Sequence, residues 1–333
     1  PYILGEKDIP IAQYFGDDAG KTAYREYLSD RYGRYKMAFS GIHINYSFGD
    51  ELLRADYALA CAESADAPQS FKAYRDQFYV RLAENCVTWG WILTAVMAAS
   101  PVMDSSYVEK GKIGGDLFQG LATVRCSELG YWNFFAPVLD YTSAAAYADS
   151  IQAYIDSGMI RYPSELYYPI RLKNFGPYSL AGLKEGVSHI ELRMVDLNPL
   201  VRAGIDERDV LFSQLFLVWA ASVEGPLLSP KDQVQAVQNF KNAAHYDLKT
   251  VKIVMPDGAA HSVVKSAKRV IAAMEEFYAD FGASVHDCLA FQRRKFDEPE
   301  TRYAWIIREK FGQGFVARGL QLARLRQREY VGE

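Results

Sequence analysis

The stretch over residues 189–200 limits the possible folds more than any other part of the chain. Successive side chains on a β-strand point to opposite faces, so Glu191 and Arg193 would share one face of a strand here. The apolar members of the stretch would point the other way, into a core; they are Ile190, Leu192 and Met194. A charged pair on an otherwise apolar strand is costly unless its charges are compensated. The pair therefore indicates either a structural ion pair on a solvated sheet face or part of a functional site.

Composition excludes several classes of protein. The chain has 333 residues and a net charge of -4, and it has no basic stripe of the kind that binds nucleic acid. Its four cysteines lack the spacings of metal or redox motifs and are typical of reduced thiols in the cytosol. No apolar run reaches the roughly 18–20 residues that a membrane span needs. We therefore expect a cytoplasmic protein that binds neither nucleic acid nor a membrane.

Hydrophobic periodicity predicts a mixed α+β chain. Helices are expected over residues 21–32, 51–66, 70–99, 143–155, 206–221 and 230–246. Besides the 189–200 stretch, strands are expected over residues 37–48 and 251–255, and residues 164–173 should be extended. From residue 262 onward the pattern is nearly all helix. We expect a sheet core over residues 1–262 and a helical C-terminal part of the same domain over residues 263–333.

The strand expected over residues 37–48 carries His43 and Asn45 on one face. With a distant carboxylate such as Glu191, His43 would complete a nitrogen and oxygen donor set that can hold a divalent cation. A lone histidine on a strand is more often a hydrogen-bonded structural residue. None of the five histidines lies in an HxH or HExxH spacing. Spacing alone is therefore weak evidence for a metal site.

Arg125 and Tyr131 lie at the two ends of a predicted turn. An arginine suits a bidentate grip on a carboxylate or phosphate. The alternative is that Arg125 caps a helix C-terminus and that Tyr131 is half-buried at a surface. Residues 165–171 could likewise be a plain extended connector. Cys126 has no histidine at an informative spacing, which argues against a nucleophilic role, and neither standard Gly-rich phosphate loop occurs.

Six short motifs occur in the order found in bacterial glutamate–cysteine ligases, and on this basis the chain resembles that family. The motifs are Tyr24-Arg-Glu26, Ser40-Gly-Ile-His-Ile-Asn-Tyr-Ser47, Ala99-Ser-Pro101 with Ser105-Ser-Tyr107, Arg125-Cys-Ser-Glu-Leu-Gly-Tyr131, Glu165-Leu-Tyr167 with Pro169-Ile-Arg171, and His189-Ile-Glu-Leu-Arg-Met-Val-Asp-Leu-Asn-Pro199. The likeness covers residues 10–220 clearly and the helical tail loosely.

The resemblance implies the fold of the glutamine-synthetase-like ligases. In that fold a curved, mainly antiparallel sheet with surrounding helices holds ATP, magnesium and glutamate on its concave face. The implied reaction is ATP-dependent joining of the glutamate γ-carboxylate to the cysteine amine through an acyl phosphate, the first step of glutathione biosynthesis. Both steps gather negative charge on phosphoryl oxygens, which Mg²⁺ and arginine side chains would stabilise.

The resemblance also implies roles for single residues of this sequence. His43 and Glu191 would be ligands of one Mg²⁺ that bridges the ATP phosphates. Arg193 would meet the transferred phosphoryl group, and Arg125 would hold the cysteine carboxylate. Arg25 would contact phosphate or substrate. The cysteine pocket would be lined by Tyr24, Tyr131 and Tyr167.

Three departures from the family pattern bear on function. Met37 stands where relatives often carry Gln near the cysteine site, which leaves the acceptor amino acid open. Residues 245–247 read His-Tyr-Asp where Glu-Gly-Arg is expected. Family members also begin earlier, with a strand of acidic ligands, so we expect an N-terminal segment to be missing and leave open whether a glutathione-forming module follows. The alternatives are a non-catalytic amino-acid-binding relative, an inactive fragment, or an unrelated α+β protein with a metal-binding cleft.

Overall fold

The structure is a computed structural model that describes residues 5–108, 115–225, 227–312 and 314–332. Its helices are α1 (Gly20–Tyr32), α2 (Arg34–Met37), α3 (Asp50–Glu63), α4 (Phe71–Trp89), α5 (Trp91–Met97), α6 (Ala144–Asp156), α7 (Leu180–Glu185), α8 (Glu207–Ser222), α9 (Pro230–Ala243), α10 (Val263–Phe277), α11 (Ala283–Asp297), α12 (Tyr303–Phe311) and α13 (Phe315–Val331). Its strands are β1 (Ile42–Tyr46), β2 (Met103–Asp104), β3 (Asp116–Leu117), β4 (Ile170–Asn174), β5 (Val187–Val195), β6 (Lys252–Val254) and β7 (Ala260–Ser262).

Strand β5, the predicted strand of the 189–200 stretch, is central to the main sheet. Among the described residues this sheet is antiparallel with the order β1–β5–β4, while β2–β3 and β6–β7 form separate two-stranded ladders. Asn45 of β1 and Arg171 of β4 both lie opposite Glu191. Directly opposed residues of an antiparallel pair share a face. The polar side chains of the three strands therefore collect on one face of the sheet.

Helices bury the other face of this sheet. Ile190 and Leu192 are fully buried there, as the alternation predicted. Helices α4 and α5 pack against β5, and α8 and α9 pack against α4 and α5 in turn. The same apolar core continues into α10 and α11. Because apolar burial holds the sheet from one side, its polar face is available for a site.

Several predicted helix ends are confirmed. The side chains of Ser70 and Asp206 accept hydrogen bonds from the backbone amides of Ala73 and Arg208, in the first turns of α4 and α8. Such N-caps satisfy amides that have no partner within the helix. Gly33 ends α1 with a φ of 82°, a left-handed value that favours glycine.

No helix in the described part of the chain is long and apolar enough to cross a bilayer.

Three predicted elements need correction. The helix expected over residues 70–99 is two helices separated at Gly90, where an added Cβ would lie 2.4 Å from the carbonyl oxygen of Cys86. The strand expected over residues 37–48 is shorter, because Met37 still belongs to α2 and β1 begins at Ile42. Residues 164–173 are not uniformly extended, since a single 3₁₀ turn (Pro163–Glu165) precedes β4.

Candidate active site

Glu191 lies at the centre of the polar face of the main sheet. One of its carboxylate oxygens, Oε1, is 3.1 Å from Nδ1 of His43. The other, Oε2, is 3.1 Å from Nη1 of Arg193 and 3.2 Å from Nζ of Lys173. The sheet register explains this convergence, because β1 and β4 flank β5 on its two sides. The structure therefore brings together His43, Glu191 and Arg193, and it adds Lys173, which the sequence analysis did not identify.

The electrostatics of this face keep Glu191 ionised. Burial opposes ionisation, but a hydrogen bond with His43 and the charges of nearby cations outweigh it and hold the pKa of Glu191 well below its ordinary value. The nearby cations are Arg193, Lys173 and Arg171. Burial, followed by the charge of Arg171, lowers the pKa of Arg193 to about 10. Burial also lowers the pKa of Lys173. Crowded and partly buried cations of this kind favour an anionic ligand.

A cavity of about 280 Å³ opens where β1 begins and β5 ends. Five of the predicted site residues line it: His43, Arg125, Tyr131, Tyr167 and Arg193. Aromatic and apolar side chains complete the wall; they include Phe39, Trp132, Tyr168, Met194 and Phe240. The cavity therefore combines cationic and aromatic side chains, a lining suited to a small molecule with an anionic group.

Arg125 lies across the beginning of β1 and binds the end of β5. Its guanidinium donates hydrogen bonds to the backbone carbonyls of Arg193 and of Val195, the latter at 3.3 Å. Gly41 makes room for it, since a Cβ there would lie 2.4 Å from Cζ of Arg125. The alternative that Arg125 caps a helix C-terminus is therefore wrong. Its neighbour Cys126 is buried, and burial raises the pKa of its thiol to about 11, consistent with the absence of a nucleophilic role.

The tyrosines predicted to line one pocket do form one cluster. The hydroxyls of Tyr131 and Tyr167 are hydrogen-bonded, and their ring centroids are 3.8 Å apart. The Tyr131 hydroxyl also donates to Sδ of Met37 at 2.9 Å. Tyr24 packs against the same cluster. Arg25 does not line the cavity, because its guanidinium stacks on Tyr14 with a separation of 4.6 Å from the ring centroid.

Two buried polar residues hold the tyrosine wall, formed by Tyr131 and Tyr167, in place, and neither role was predicted from the sequence. Asn133 accepts a hydrogen bond from the backbone amide of Tyr167 at 2.7 Å and donates to the carbonyl of Glu165 at 2.9 Å. The fully buried carboxylate of Glu165 accepts from the Tyr32 hydroxyl at 2.8 Å and forms an ion pair with Arg31 at 3.1 Å. These contacts explain why the Glu165-Leu-Tyr167 motif is more than a plain connector.

Asp196, the residue after β5, connects the sheet to residues 123–126, the segment that carries Arg125. Its buried carboxylate accepts hydrogen bonds from the backbone amide of Ala99 at 2.9 Å, from Ser100 at 2.7 Å and from Thr123 at 3.0 Å. Burial raises the pKa of Asp196. The motif that contains Ala99 and Ser100 therefore has a structural role. Together with Asp196 and Thr123 it fixes the start of the segment that carries Arg125.

The donor set around Glu191 meets some of the requirements of a divalent cation. Within the described ranges, no three side chains of His, Cys, Asp or Glu converge as a metal-binding group. His43 and Glu191 supply one nitrogen and one carboxylate at 3.1 Å from each other. Magnesium is often held by one or two protein ligands, while water and substrate phosphates supply the rest. The residues therefore fit a magnesium ion that arrives with a nucleotide, and not a cage built by these side chains alone.

Two solved structures share the fold. Glutamate–cysteine ligase from Francisella tularensis, solved in complex with AMP, superposes with a TM-score of 0.83 at 20% identity, over 98% of this chain and 71% of that one. A bifunctional glutathione synthetase from Pasteurella multocida superposes with a TM-score of 0.77 at 21% identity, over 96% and 41% of the two chains. The expected α+β ligase fold is thereby confirmed.

Sequence relatives point to the same family. The glutathione biosynthesis bifunctional protein GshAB of Listeria innocua is 35% identical over 254 residues, which cover 73% of this chain and 32% of that protein. The corresponding protein of Listeria monocytogenes serotype 4b is 30% identical over 328 residues, 95% of this chain and 42% of its own length. The chain thus spans less than half the length of these relatives. The family model described as glutamate–cysteine ligase matches residues 1–163 and 136–243. The chain belongs to the glutamate–cysteine ligase family.

Proposed function

We propose that this chain carries the active site for ATP-dependent ligation of the glutamate γ-carboxylate to the amine of cysteine. The observation that carries the proposal is the convergence of His43, Glu191 and Arg193 on one sheet face beside a cavity that Arg125 and Tyr131 also line. This is the arrangement that a phosphoryl-transferring ligase needs, with a metal and phosphate end next to an amino-acid end. Membership of the family and the names of the relatives support the same substrates.

The polar face offers room for a ligand longer than one amino acid. A second cavity, of about 390 Å³, lies at the other end of this face and is lined by Ser47 and His189. Both residues lie towards the end of the sheet opposite to His43 and Arg193, because β1 and β5 are antiparallel. An extended ligand such as ATP could therefore lie along the face, with its phosphates over Glu191.

The proposed reaction has two steps. A γ-carboxylate oxygen of glutamate attacks the terminal phosphorus of ATP, and ADP leaves. The amine nitrogen of the acceptor then attacks the acyl carbon, phosphate leaves and the amine loses a proton. Arg193 faces the transferred phosphoryl group, where a guanidinium stabilises the charge that spreads over its oxygens. A magnesium ion held by His43 and Glu191 would neutralise further phosphoryl charge.

The amino-acid end of the cavity would bind the acceptor. Arg125 would hold the carboxylate of the acceptor, because a guanidinium matches a carboxylate in geometry and charge. Tyr131 and Tyr167 would form the wall that contacts the acceptor side chain, with Tyr24 behind them. Met37 accepts a hydrogen bond from Tyr131 and would influence the acceptor pocket through this tyrosine. Arg25 stays a weaker candidate for a contact outside the cavity.

A second candidate function is a relative that binds an amino acid without turnover. It is favoured by the donor set on the sheet face, where among the described residues only His43 and Glu191 are placed to hold a metal and no group of three ligands converges. Release of ADP from Mg-ATP separates the two candidates. The ligase should release ADP only when both glutamate and a cysteine-like amine are present, and Glu191→Gln should abolish that release. Binding of the amino acids with no ADP release in any mixture would support the second candidate and refute the first.

We also propose that residues 1–262 and 263–333 belong to one folding unit. Support comes from the continuous apolar core, in which buried residues of α10 and α11 pack with those of α4, α5 and α8. A buried ion pair at 3.1 Å also joins Lys295 of α11 to Asp209 of α8.

A further inference from the structure

We propose that Lys173 is a phosphate-binding residue of the nucleotide site, which pairs with Glu191 and is released to the phosphates when a divalent cation binds. The inference rests on the proposed function, because it assigns one more residue to the same nucleotide.

Both oxygens of Glu191 already have protein partners. Lys173 and Arg193 share Oε2 at 3.2 and 3.1 Å, and His43 faces Oε1 at 3.1 Å. A divalent cation held by His43 and Glu191 would add two positive charges beside the two cations that already share Oε2, and like charges repel strongly in a partly buried site. We therefore expect the ammonium or the guanidinium on Oε2 to shift away from the carboxylate when the metal binds.

Charge on this face supports an anionic ligand. Three cations, Arg171, Lys173 and Arg193, lie around the single carboxylate of Glu191. The side chains of Lys173 and Arg193 are each only 18% exposed, so solvent compensates their charge incompletely. Partly buried charge without a counter-charge is unfavourable. The phosphates of a nucleotide would supply the missing negative charge.

Of the three cations, Lys173 is the one best able to move. Arg171 is 3% exposed and donates to the backbone carbonyls of Ser164, at 2.8 Å, and Leu166. These bonds anchor its guanidinium away from any ligand. Lys173 has a flexible stem and a compact ammonium with three donors, and its Nζ lies 4.4 Å from the centre of the Tyr178 ring. A small rotation of the stem would exchange the carboxylate for a phosphate oxygen.

Substitution of Lys173 should have opposite effects on the two ligands. Lys173→Met should weaken binding of a non-hydrolysable ATP analogue about 10- to 100-fold, because a charge-assisted hydrogen bond to phosphate is lost. The same variant should bind Mn²⁺ more tightly without nucleotide, because a competing cation has left Glu191. Isothermal titration calorimetry on the 333-residue chain measures both affinities. Lys184→Met is the matched control, since this lysine of α7 is exposed and pairs with Asp149.

The outcomes separate this inference from simpler explanations. Nucleotide binding equal to that of the wild type and of Lys184→Met would overturn it. Loss of both nucleotide and metal binding together would also overturn it, because that is the signature of a purely structural residue. Lys173→Gln, which keeps most of the stem, repeats the test if Lys173→Met does not fold. A wild-type chain that binds the metal but no nucleotide would refute the proposed function itself, and this inference with it.

Discussion

Asn133 holds the tyrosine wall of the cavity in place, and Asn133→Ala measures how much this residue contributes to stability and to acceptor binding. The change removes the acceptor of the Tyr167 amide and the donor to the Glu165 carbonyl, both of which are buried. The Tyr32 hydroxyl loses a hydrogen bond from Asn133 but keeps its bond to Glu165, so it is not left unpaired. A buried polar group left without a hydrogen-bond partner costs about 1–3 kcal/mol. The loss of both bonds, to the Tyr167 amide and the Glu165 carbonyl, should therefore lower the free energy of unfolding by about 2–6 kcal/mol.

The same substitution should affect the two ends of the site differently. Because Asn133 holds the backbone of Tyr167, its loss should loosen the tyrosine wall and weaken binding of the amino-acid acceptor. Nucleotide affinity should stay close to that of the wild type, since the Glu191 contacts are unchanged. Urea unfolding gives the stability, and calorimetric titration gives the two affinities.

A matched control is available on the surface. Asn242 donates to the carbonyl of Lys252 at 2.7 Å in an exposed position, where water can replace the lost bond. Asn242→Ala should therefore cost less than about 1 kcal/mol. If Asn133→Ala were no less stable than this control, or if acceptor and nucleotide affinity fell together, the role given to Asn133 would be wrong.

Two further predictions concern close packing and a buried charge. Gly41→Ala should raise the KM for the acceptor at least tenfold, because the added methyl group displaces the Arg125 guanidinium. Gly20→Ala is the control and should leave this KM unchanged, since a Cβ at Gly20 has no other atom within 4 Å. Burial lowers the pKa of Lys295 to about 8 despite its ion pair with Asp209. In the unfolded chain the pKa of this lysine returns to its ordinary value of about 10.4. Between these two pH values the unfolded chain therefore binds a proton that the native chain does not. The free energy of unfolding of the wild type, minus that of Lys295→Met, should therefore rise with pH across this window, and a flat or falling difference in urea titrations would refute the assignment.

The parts of the fold that follow from local pattern were predictable. Alternation over residues 189–200 identifies which side chains of β5 face the core, because period two is a property of the strand itself. The caps Ser70 and Asp206 follow from the chemistry of single residues at helix starts. The split at Gly90 was missed, because helical periodicity continues across it and the steric reason lies in the packing of the residue.

The site was predictable only where a motif carried the information. The order of the motifs predicted that His43, Arg125 and Glu191 belong to one site. Spacing alone favoured an ordinary structural role for each of them. Lys173 was missed although it follows Arg171 by two positions, because its partner Glu191 lies on another strand. Asn133 was missed for the same reason, since its contacts depend on the fold and not on neighbouring residues.

The central claim is that an imidazole and a carboxylate from neighbouring strands hold one divalent cation together with the phosphates of a nucleotide. Electron spin-echo modulation of Mn²⁺ bound with a non-hydrolysable ATP analogue tests this directly, because it detects a nitrogen ligand and phosphorus nuclei near the ion. We predict nitrogen and phosphorus modulation in the wild type and in the control His245→Ala, and loss of the nitrogen signal in His43→Ala. Bound Mn²⁺ that shows phosphorus but no nitrogen modulation, or a nitrogen signal that survives in His43→Ala, would contradict the claim.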